Sequence, residues 1–251
     1  MRILYLGDIV GETTIEILKN NLESIKKEYR INMVLCNAEN VTKGKGLAFK
    51  HYKELKSLGI AGMSMGNHTF SKSEIKDYLS DATICIPANI NTDLGKKVLY
   101  INYNNEKIAL INMLGRVYLN TPLDCPFQTM DKLLTEIKAD YVIVDFHGEA
   151  TSEKKAFFYE YAGKVSAIVG SHTHVQTADS QVYNNTCYIS DMGMCGPKDS
   201  ILGDDIESVI TRFRTGVFEP LSVATCANYL IEGVILDLGK ENKIESFRKV
   251  L

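Results

Sequence analysis

Four of the five histidines stand just past short apolar runs, and two of them form the triplet His172-Thr173-His174. Carboxylates and amides occupy equivalent places: Asp8 follows Ile3–Gly7, Glu39-Asn40 follow Met33–Cys36, and Asn67-His68 follow Met63–Gly66. His147 closes the run Tyr141–Phe146. Imidazole nitrogens, carboxylate oxygens and amide oxygens suit borderline or hard cations such as Mn²⁺, Fe²⁺ or Zn²⁺. A carboxylate can bridge two ions, and ions about 3.5–4 Å apart stabilise both the attacking and the leaving oxygen of a displacement. In an extended segment His172 and His174 would point to one side; in a loop they could reach adjacent ions.

Taken singly, each residue has a plainer reading. Asp8 could cap the next helix, Glu39-Asn40 and Asn67-His68 could form turns, and His147 could be a hydrogen-bonded core histidine. Their joint order at strand ends is what points to a polynuclear metal centre. His51, at the start of a helical pattern, reads as a surface residue. A zinc amidohydrolase also uses His-x-His, but on its first strand, whereas here the triplet comes late and residues 83–113 break the alternation a (β/α)₈ barrel needs.

The elements that must carry these residues are legible from periodicity. Strands are expected at Arg2–Gly7, Met33–Cys36 and Ala61–Met65. They alternate with helices at Thr14–Tyr29, Phe49–Leu58 (ended by Gly59) and Ser71–Leu79, with Ser71 and Glu74 as a capping box. Thr83–Pro87, Val98–Tyr103 and Lys107–Met113 follow as strands, the last two joined by an Asn104-Asn105 turn. Then come helix Phe127–Ile137, strand Tyr141–Phe146, helix Ser152–Tyr161, and strands Val165–Gly170 and Thr186–Ser190. A Gly-rich loop, helix Ile206–Thr215 and a closing hairpin, Tyr229–Leu238 with Lys243–Arg248 and Gly239 near its turn, complete the chain. The mixture predicts an α/β (α+β mixed) protein with two packed mixed sheets covered by helices, in one domain over 1–251. Ligands belong at the carboxyl ends of its parallel strands.

Bulk properties narrow the class. At 45% hydrophobic and 24% charged, with no low-complexity block, the 251 residues read as globular. A net charge of −3 excludes a dominant nonspecific nucleic-acid surface, so RNA is a permitted partner but not one that charge indicates. The opening MRILYLGD reads as a strand rather than a secretory signal. No apolar run reaches the roughly 18–20 residues that span a bilayer. Six scattered cysteines without a CxxC pair read as reduced thiols, and the chain as cytoplasmic without membrane attachment. Homo-oligomerisation stays open.

Gly7-Asp8, Glu39, Gly66-Asn67-His68, His147 and Gly170-x-His172-x-His174 resemble, in that order, the motifs of the calcineurin-like metallophosphoesterases. Two departures stand out: Val10 replaces a histidine of the first motif, and Glu39-Asn40 replaces an aspartate. With GDIVG at 7–11, NAENVTKGKGL at 37–47, MGNHTF at 65–70, PAN at 87–89, GSHTHVQTAD at 170–179, DMGMCGPKDSILG at 191–203 and RFRTG at 212–216, the chain resembles the YmdB-like branch, a group of bacterial phosphodiesterases.

The resemblance implies a four-layer αββα sandwich and two divalent or trivalent ions, iron or manganese ahead of zinc. One ion would be held by Asp8, Glu39, Asn40 and His174, the other by Glu39, Asn67, His147 and His172. Asn40 would replace the ligand lost at Val10, and His68 would be the proton donor. The activity implied is metal-dependent phosphodiester hydrolysis of a small cyclic nucleotide, 2′,3′- and/or 3′,5′-cyclic. The alternatives are a phosphomonoesterase or 5′-nucleotidase on the same fold, or a regulatory RNA- or protein-binding scaffold that retains the metals. Arg116 could contact phosphate or form a structural ion pair.

Overall fold

The computed structural model describes residues 1–119 and 122–251. In chain order the first elements are β1 (Arg2–Ile9), α1 (Thr13–Glu28), β2 (Met33–Asn37), α2 (Phe49–Ser57), β3 (Ile60–Ser64) and β4 (Ile84–Cys85). Next are β5 (Val98–Tyr103), β6 (Glu106–Leu114), α3 (Pro126–Glu136), β7 (Tyr141–His147), α4 (Thr151–Tyr161) and β8 (Ala167–Ser171). Last come β9 (Gln181–Tyr183), β10 (Thr186–Ile189), β11 (Met194–Pro197), α5 (Ile206–Thr215), β12 (Tyr229–Asp237) and β13 (Lys243–Val250).

They build two mixed sheets, ordered β13-β12-β11-β1-β2-β3-β4 and β5-β6-β7-β8-β10-β9. The period-2 alternation of β1 shows how the layers arise. Leu4 and Leu6 join Ile15, Leu18, Leu22 and Ile25 of α1 on the outer face. Ile3 and Tyr5 join Leu110, Ile143, Val169 and Ile189 of the second sheet. Phe157, Phe158 and Tyr161 of α4, with Met130 of α3, cover that sheet's far side. Apolar burial on both faces of each sheet thus produces the αββα sandwich. β1–β2–β3–β4 and β6–β7–β8–β10 run parallel within their sheets, so the carboxyl ends of β1, β2 and β3 form one edge and those of β6, β7 and β8 another.

Several local expectations hold for identifiable reasons. Gly59 takes φ +81° just after α2, Asn104 takes φ 46° between β5 and β6, and β12 pairs antiparallel with β13. Asp205 caps α5 by accepting from the Ser208 amide at 2.9 Å, and Gly216 ends it at φ 70°.

Others are corrected. The helix expected over 71–79 is a single tight turn, Ser73–Asp77, because Lys72 is still extended and Ser71 therefore cannot cap it. Ile75 and Leu79 are buried there without a regular helix. The Gly-rich segment contains β11, which runs parallel to β1 with Asp8 opposite Met194. Gly7 makes this possible: a Cβ there would collide with the Gly193 carbonyl. His51 is half-buried rather than a free surface residue, its Nδ1 2.8 Å from Thr42 Oγ1.

Candidate metal centre

Asp8 lies inside β1 one residue before its end, and Glu39 and Asn40 follow β2. Asn67 and His68 follow β3, His147 ends β7, and His172 and His174 follow β8. The parallel strands therefore deliver these side chains to one edge of the sandwich, where the two sheets meet.

Around His147 four donor atoms converge. Its Nε2 lies 2.9 Å from Glu39 Oε1, 3.0 Å from Asn67 Oδ1 and 3.1 Å from His172 Nδ1. His147 and Glu39 are buried. A ring nitrogen carries at most one proton, so three acceptor-type atoms cannot all be satisfied by it. A cation among these lone pairs would satisfy them together, and Glu39, His147 and His172 form a compact candidate cluster for one.

A second set of lone pairs lies alongside. Asp8 is fully buried; its Oδ2 accepts from the His172 amide at 3.2 Å, while Oδ1 has no hydrogen-bond partner among the described residues. That oxygen is 3.7 Å from His174 Nε2 and 3.9 Å from His147 Nδ1. Asn40 Nδ2 donates to the Gly44 carbonyl at 3.0 Å, and its buried Oδ1 is likewise without a partner among them. An orphaned buried acceptor costs on the order of 1–3 kcal/mol. Asp8 Oδ1 beside the imidazoles, and Asn40 in the cleft lined by Glu39, His172 and His174, fit a second cation.

The charges are tightly coupled. Burial disfavours the charged form of every group, yet Glu39 and Asp8 push His147 up to about 9. Burial likewise opposes a charge on His174, but the nearby Asp8 carboxylate pushes it up to about 9. Burial and the His147 charge drive His172 down to about 3. Asp8 and Glu39 stay below the ordinary carboxylate range because the neighbouring histidines outweigh their burial. Burial lowers His68.

Outer contacts fix which nitrogen faces the centre. His147 Nδ1 is 2.8 Å from Ser171 Oγ, which donates to Asp145 Oδ1 at 2.5 Å. Asp145 Oδ2 also accepts from Ser64 Oγ at 2.5 Å and Asn37 Nδ2 at 3.0 Å. His172 Nε2 is 3.1 Å from Glu149 Oε2, leaving Nδ1 inward. His174 Nδ1 is 2.8 Å from the Leu202 carbonyl, leaving Nε2 toward Asp8. Such orientation by carboxylates and carbonyls is the usual support of histidine ligands.

His172 and His174 do not share one side of an extended segment. Both take left-handed backbone, φ 101° and 63°, and their rings part toward different donor sets. Between them, Thr173 donates its amide and hydroxyl to Asp191 Oδ2 at 2.9 and 2.8 Å. Gly66 is required close by, since a Cβ there would strike Glu39 and His147.

His68 stands apart. Its amide donates to Glu39 Oε2 at 2.7 Å, while its ring lines a cleft of ≈ 400 Å³ with Glu39, Asn40, His172 and His174. Lys43, Lys45 and Arg212 line the same cleft. A larger surface cavity of ≈ 700 Å³, near Lys97 and Lys132, is lined by none of these residues. Arg116 is exposed outside the cleft, and its amide donates to Glu153 Oε1 at 2.9 Å.

The supporting residues Asn37, Asp145, Glu149, Ser171 and Asp191, and Lys154, whose Nζ is 2.9 Å from Asp191 Oδ2, are not distinguished by the sequence. Only Asp145 had a usable signal: it precedes His147 by two on one strand, the spacing that shares a face.

Comparison with known proteins agrees with this architecture. The family model described as YmdB-like protein matches residues 4–250. A 2′,3′-cyclic-nucleotide 2′-phosphodiesterase from Bacillus subtilis is 41% identical over 248 residues, spanning 97% of this chain and 93% of the relative. A crystal structure from Mycoplasma pneumoniae described as a novel phosphatase superposes with a TM-score of 0.94 at 37% identity, covering 100% of this chain and 93% of that one. A hypothetical protein from Thermus thermophilus also gives 0.94, at 33% identity and 100% and 99% coverage. The chain belongs to the YmdB-like family, the branch of the calcineurin-like metallophosphoesterases that its sequence resembles.

Proposed function

We propose that the protein is a dinuclear metal-dependent phosphodiesterase acting on cyclic nucleotides, 2′,3′-cyclic and/or 3′,5′-cyclic. The observation that carries this reading is the convergence of Glu39 Oε1, Asn67 Oδ1 and His172 Nδ1 on His147 Nε2, beside the orphaned Asp8 Oδ1 and Asn40 Oδ1. Glu39, Asn67, His147 and His172 would hold one ion, and Asp8, Glu39, Asn40 and His174 the other. The mixed oxygen and nitrogen set suits manganese or iron, and accepts zinc. Bound there, two such ions lower the pKa of a water and neutralise charge on phosphate oxygens.

His68 does the remaining proton work. Its ring lies outside the donor cluster but in the same cleft, with Nδ1 3.5 Å from Ser71 Oγ. Its Nε2 lies 3.4 Å from Asn67 Nδ2, so the imidazole as a whole, not one fixed nitrogen, is assigned the proton that goes to the leaving alkoxide, a role for a ring with a pKa near the working pH. The name of the Bacillus subtilis relative favours the 2′,3′-cyclic substrate. All six cysteines are free, which supports a reducing compartment, the cytoplasm.

The Mycoplasma pneumoniae structure's description as a phosphatase motivates the competing reading, a phosphomonoesterase. Manganese- or iron-loaded protein should hydrolyse 2′,3′-cyclic AMP and bis(p-nitrophenyl) phosphate, with p-nitrophenyl phosphate turned over far more slowly. Preference for the monoester would replace the proposal with the phosphatase reading, and no turnover of any of the three would leave the scaffold.

A further inference from the structure

Two charged clusters, Lys43-Gly44-Lys45 and Arg212-Phe213-Arg214, take no part in the donor set, yet both reach the cleft above it. Lys43 and Lys45 lie in the loop after β2, and Arg212 on α5, so the cations approach from different elements. Lys45 is close enough for its charge to act on His68, and both Lys45 and Arg212 act on Asp204, a half-buried carboxylate of the same cleft. Among the described residues none of Lys43, Lys45 and Arg212 is in an ion pair.

Arg212 is also the junction between two cavities. A groove of ≈ 430 Å³ shares Arg212, Pro220 and Leu221 with the metal cleft, so one wall continues into the other. Each is within the size range of a small-ligand pocket. The guanidinium is held in place by a bond from Nη2 to the Glu219 carbonyl and by the Phe218 ring, 5.4 Å away at its centroid. Phe213 and Phe218 are 84% and 81% exposed, far more than ordinary core-forming aromatics would be. Cations lining a cleft, one of them set against an exposed aromatic ring just outside it, offer single-stranded nucleic acid both phosphate contacts and a stacking surface.

We propose that the substrate extends beyond one nucleotide: a short RNA strand ending in a 2′,3′-cyclic phosphate, with its penultimate phosphodiester held between Lys45 and Arg212 and the upstream base over Phe218. This rests on the phosphodiesterase reading above. The cyclic phosphate occupies the metal centre, so cations set away from it serve a different phosphate. Arginine is suited to hold that group through paired charge-assisted hydrogen bonds. The carboxylates Asp204, Glu207 and Glu219 on the same walls, and the net charge of −3, confine the contact to the last nucleotides rather than a long strand.

The test compares kcat/KM on adenosine 2′,3′-cyclic phosphate and on the dinucleotide ApA ending in 2′,3′-cyclic phosphate, using the full chain loaded with manganese. The dinucleotide should be favoured about tenfold, chiefly through KM, as one charge-assisted contact allows. Arg212→Ala and, from a different element lining the cleft, Lys45→Ala should each collapse that ratio toward one. Equal kcat/KM for the two substrates in the wild type overturns the inference while leaving the phosphodiesterase reading intact. So does a loss in both variants that is the same on both substrates. Hydrolysis of neither substrate defeats the phosphodiesterase reading, and this inference with it.

Discussion

Lys154 Nζ lies 2.9 Å from Asp191 Oδ2 with both side chains buried, and the same ammonium donates to the Ser171 carbonyl at 2.9 Å. The Asp191 carboxylate in turn receives Thr173 and, at 2.9 Å, the Gly193 amide. One buried ion pair thus braces the left-handed turn that carries His172 and His174. Lys154→Met should cost about 3 kcal/mol or more, because it leaves Asp191 buried without its counter-charge. Turnover should fall with it as the two imidazoles lose their support. Wild-type stability in urea denaturation would show that the brace carries no weight.

Removing the cations should stop catalysis and soften the fold. A ligand that binds only the native state stabilises it by about 2.7 kcal/mol at a hundred times its dissociation constant. Chelation followed by desalting should therefore lower the melting temperature, and manganese or iron should restore both it and turnover. A melting temperature indifferent to added metal would count against the donor set, whose orphaned Asp8 and Asn40 oxygens motivate it.

Much of this arrangement was legible because strands and chemistry share one signal. An apolar run that ends abruptly in Asp8, Glu39, Asn67 or His147 marks both a buried strand and the edge where ligands gather. The layers followed from alternation, as with Leu4 against Ile3 in β1. What stayed hidden depends on distance in the chain. Nothing local to Lys154 announces Asp191, and β11 escaped notice because its Gly196 and Pro197 have low strand propensity, although a glycine contact between Gly7 and Gly193 lets it approach β1. The short turn at 73–77 escaped because Ile75 and Leu79 have helical spacing but are buried by a loop.

The serine relay makes a prediction about affinity. Ser171 connects His147 Nδ1 to Asp145, so Ser171→Ala leaves the ring free to turn. Loss of such support typically weakens metal binding by about 10–100-fold. Isothermal titration with manganese should show this loss, with near-wild-type kcat at saturating metal. Unchanged affinity would mean that packing alone orients the ring.

His68→Ala should leave metal content intact while lowering kcat by about 10²–10⁴ on a substrate with an alkoxide leaving group. The loss should be much smaller with p-nitrophenolate, which departs without a proton. Equal losses on both leaving groups would remove His68 from the role of proton donor.

Asp179, away from the centre, should contribute to acid sensitivity. Burial raises its carboxyl, but hydrogen bonds from Ser190 and Thr177 outweigh it and hold the group below its ordinary range. A depressed folded-state pKa means that the unfolded chain binds the proton more readily. Its contribution is therefore complete above the ordinary aspartate value near about 4 and lost as pH falls through the lower, folded value. The stability difference between wild type and Asp179→Asn should be constant above about pH 4 and shrink as pH falls below it; a constant difference throughout would contradict this.

The seam between the sheets has a kinetic consequence. Asp8, Glu39, Asn40 and Asn67 come from the first sheet and its loops, whereas His147, His172 and His174 come from the second. Cations held by that mixed set would fasten two slabs that otherwise adhere through apolar side chains and the bonds of Ser64 and Asn37 to Asp145, and only after both have formed and docked. Refolding would then proceed at much the same rate with or without metal. The escape from the native state is what the ions would retard, so a loaded molecule would persist far longer under denaturing stress than its equilibrium stability suggests.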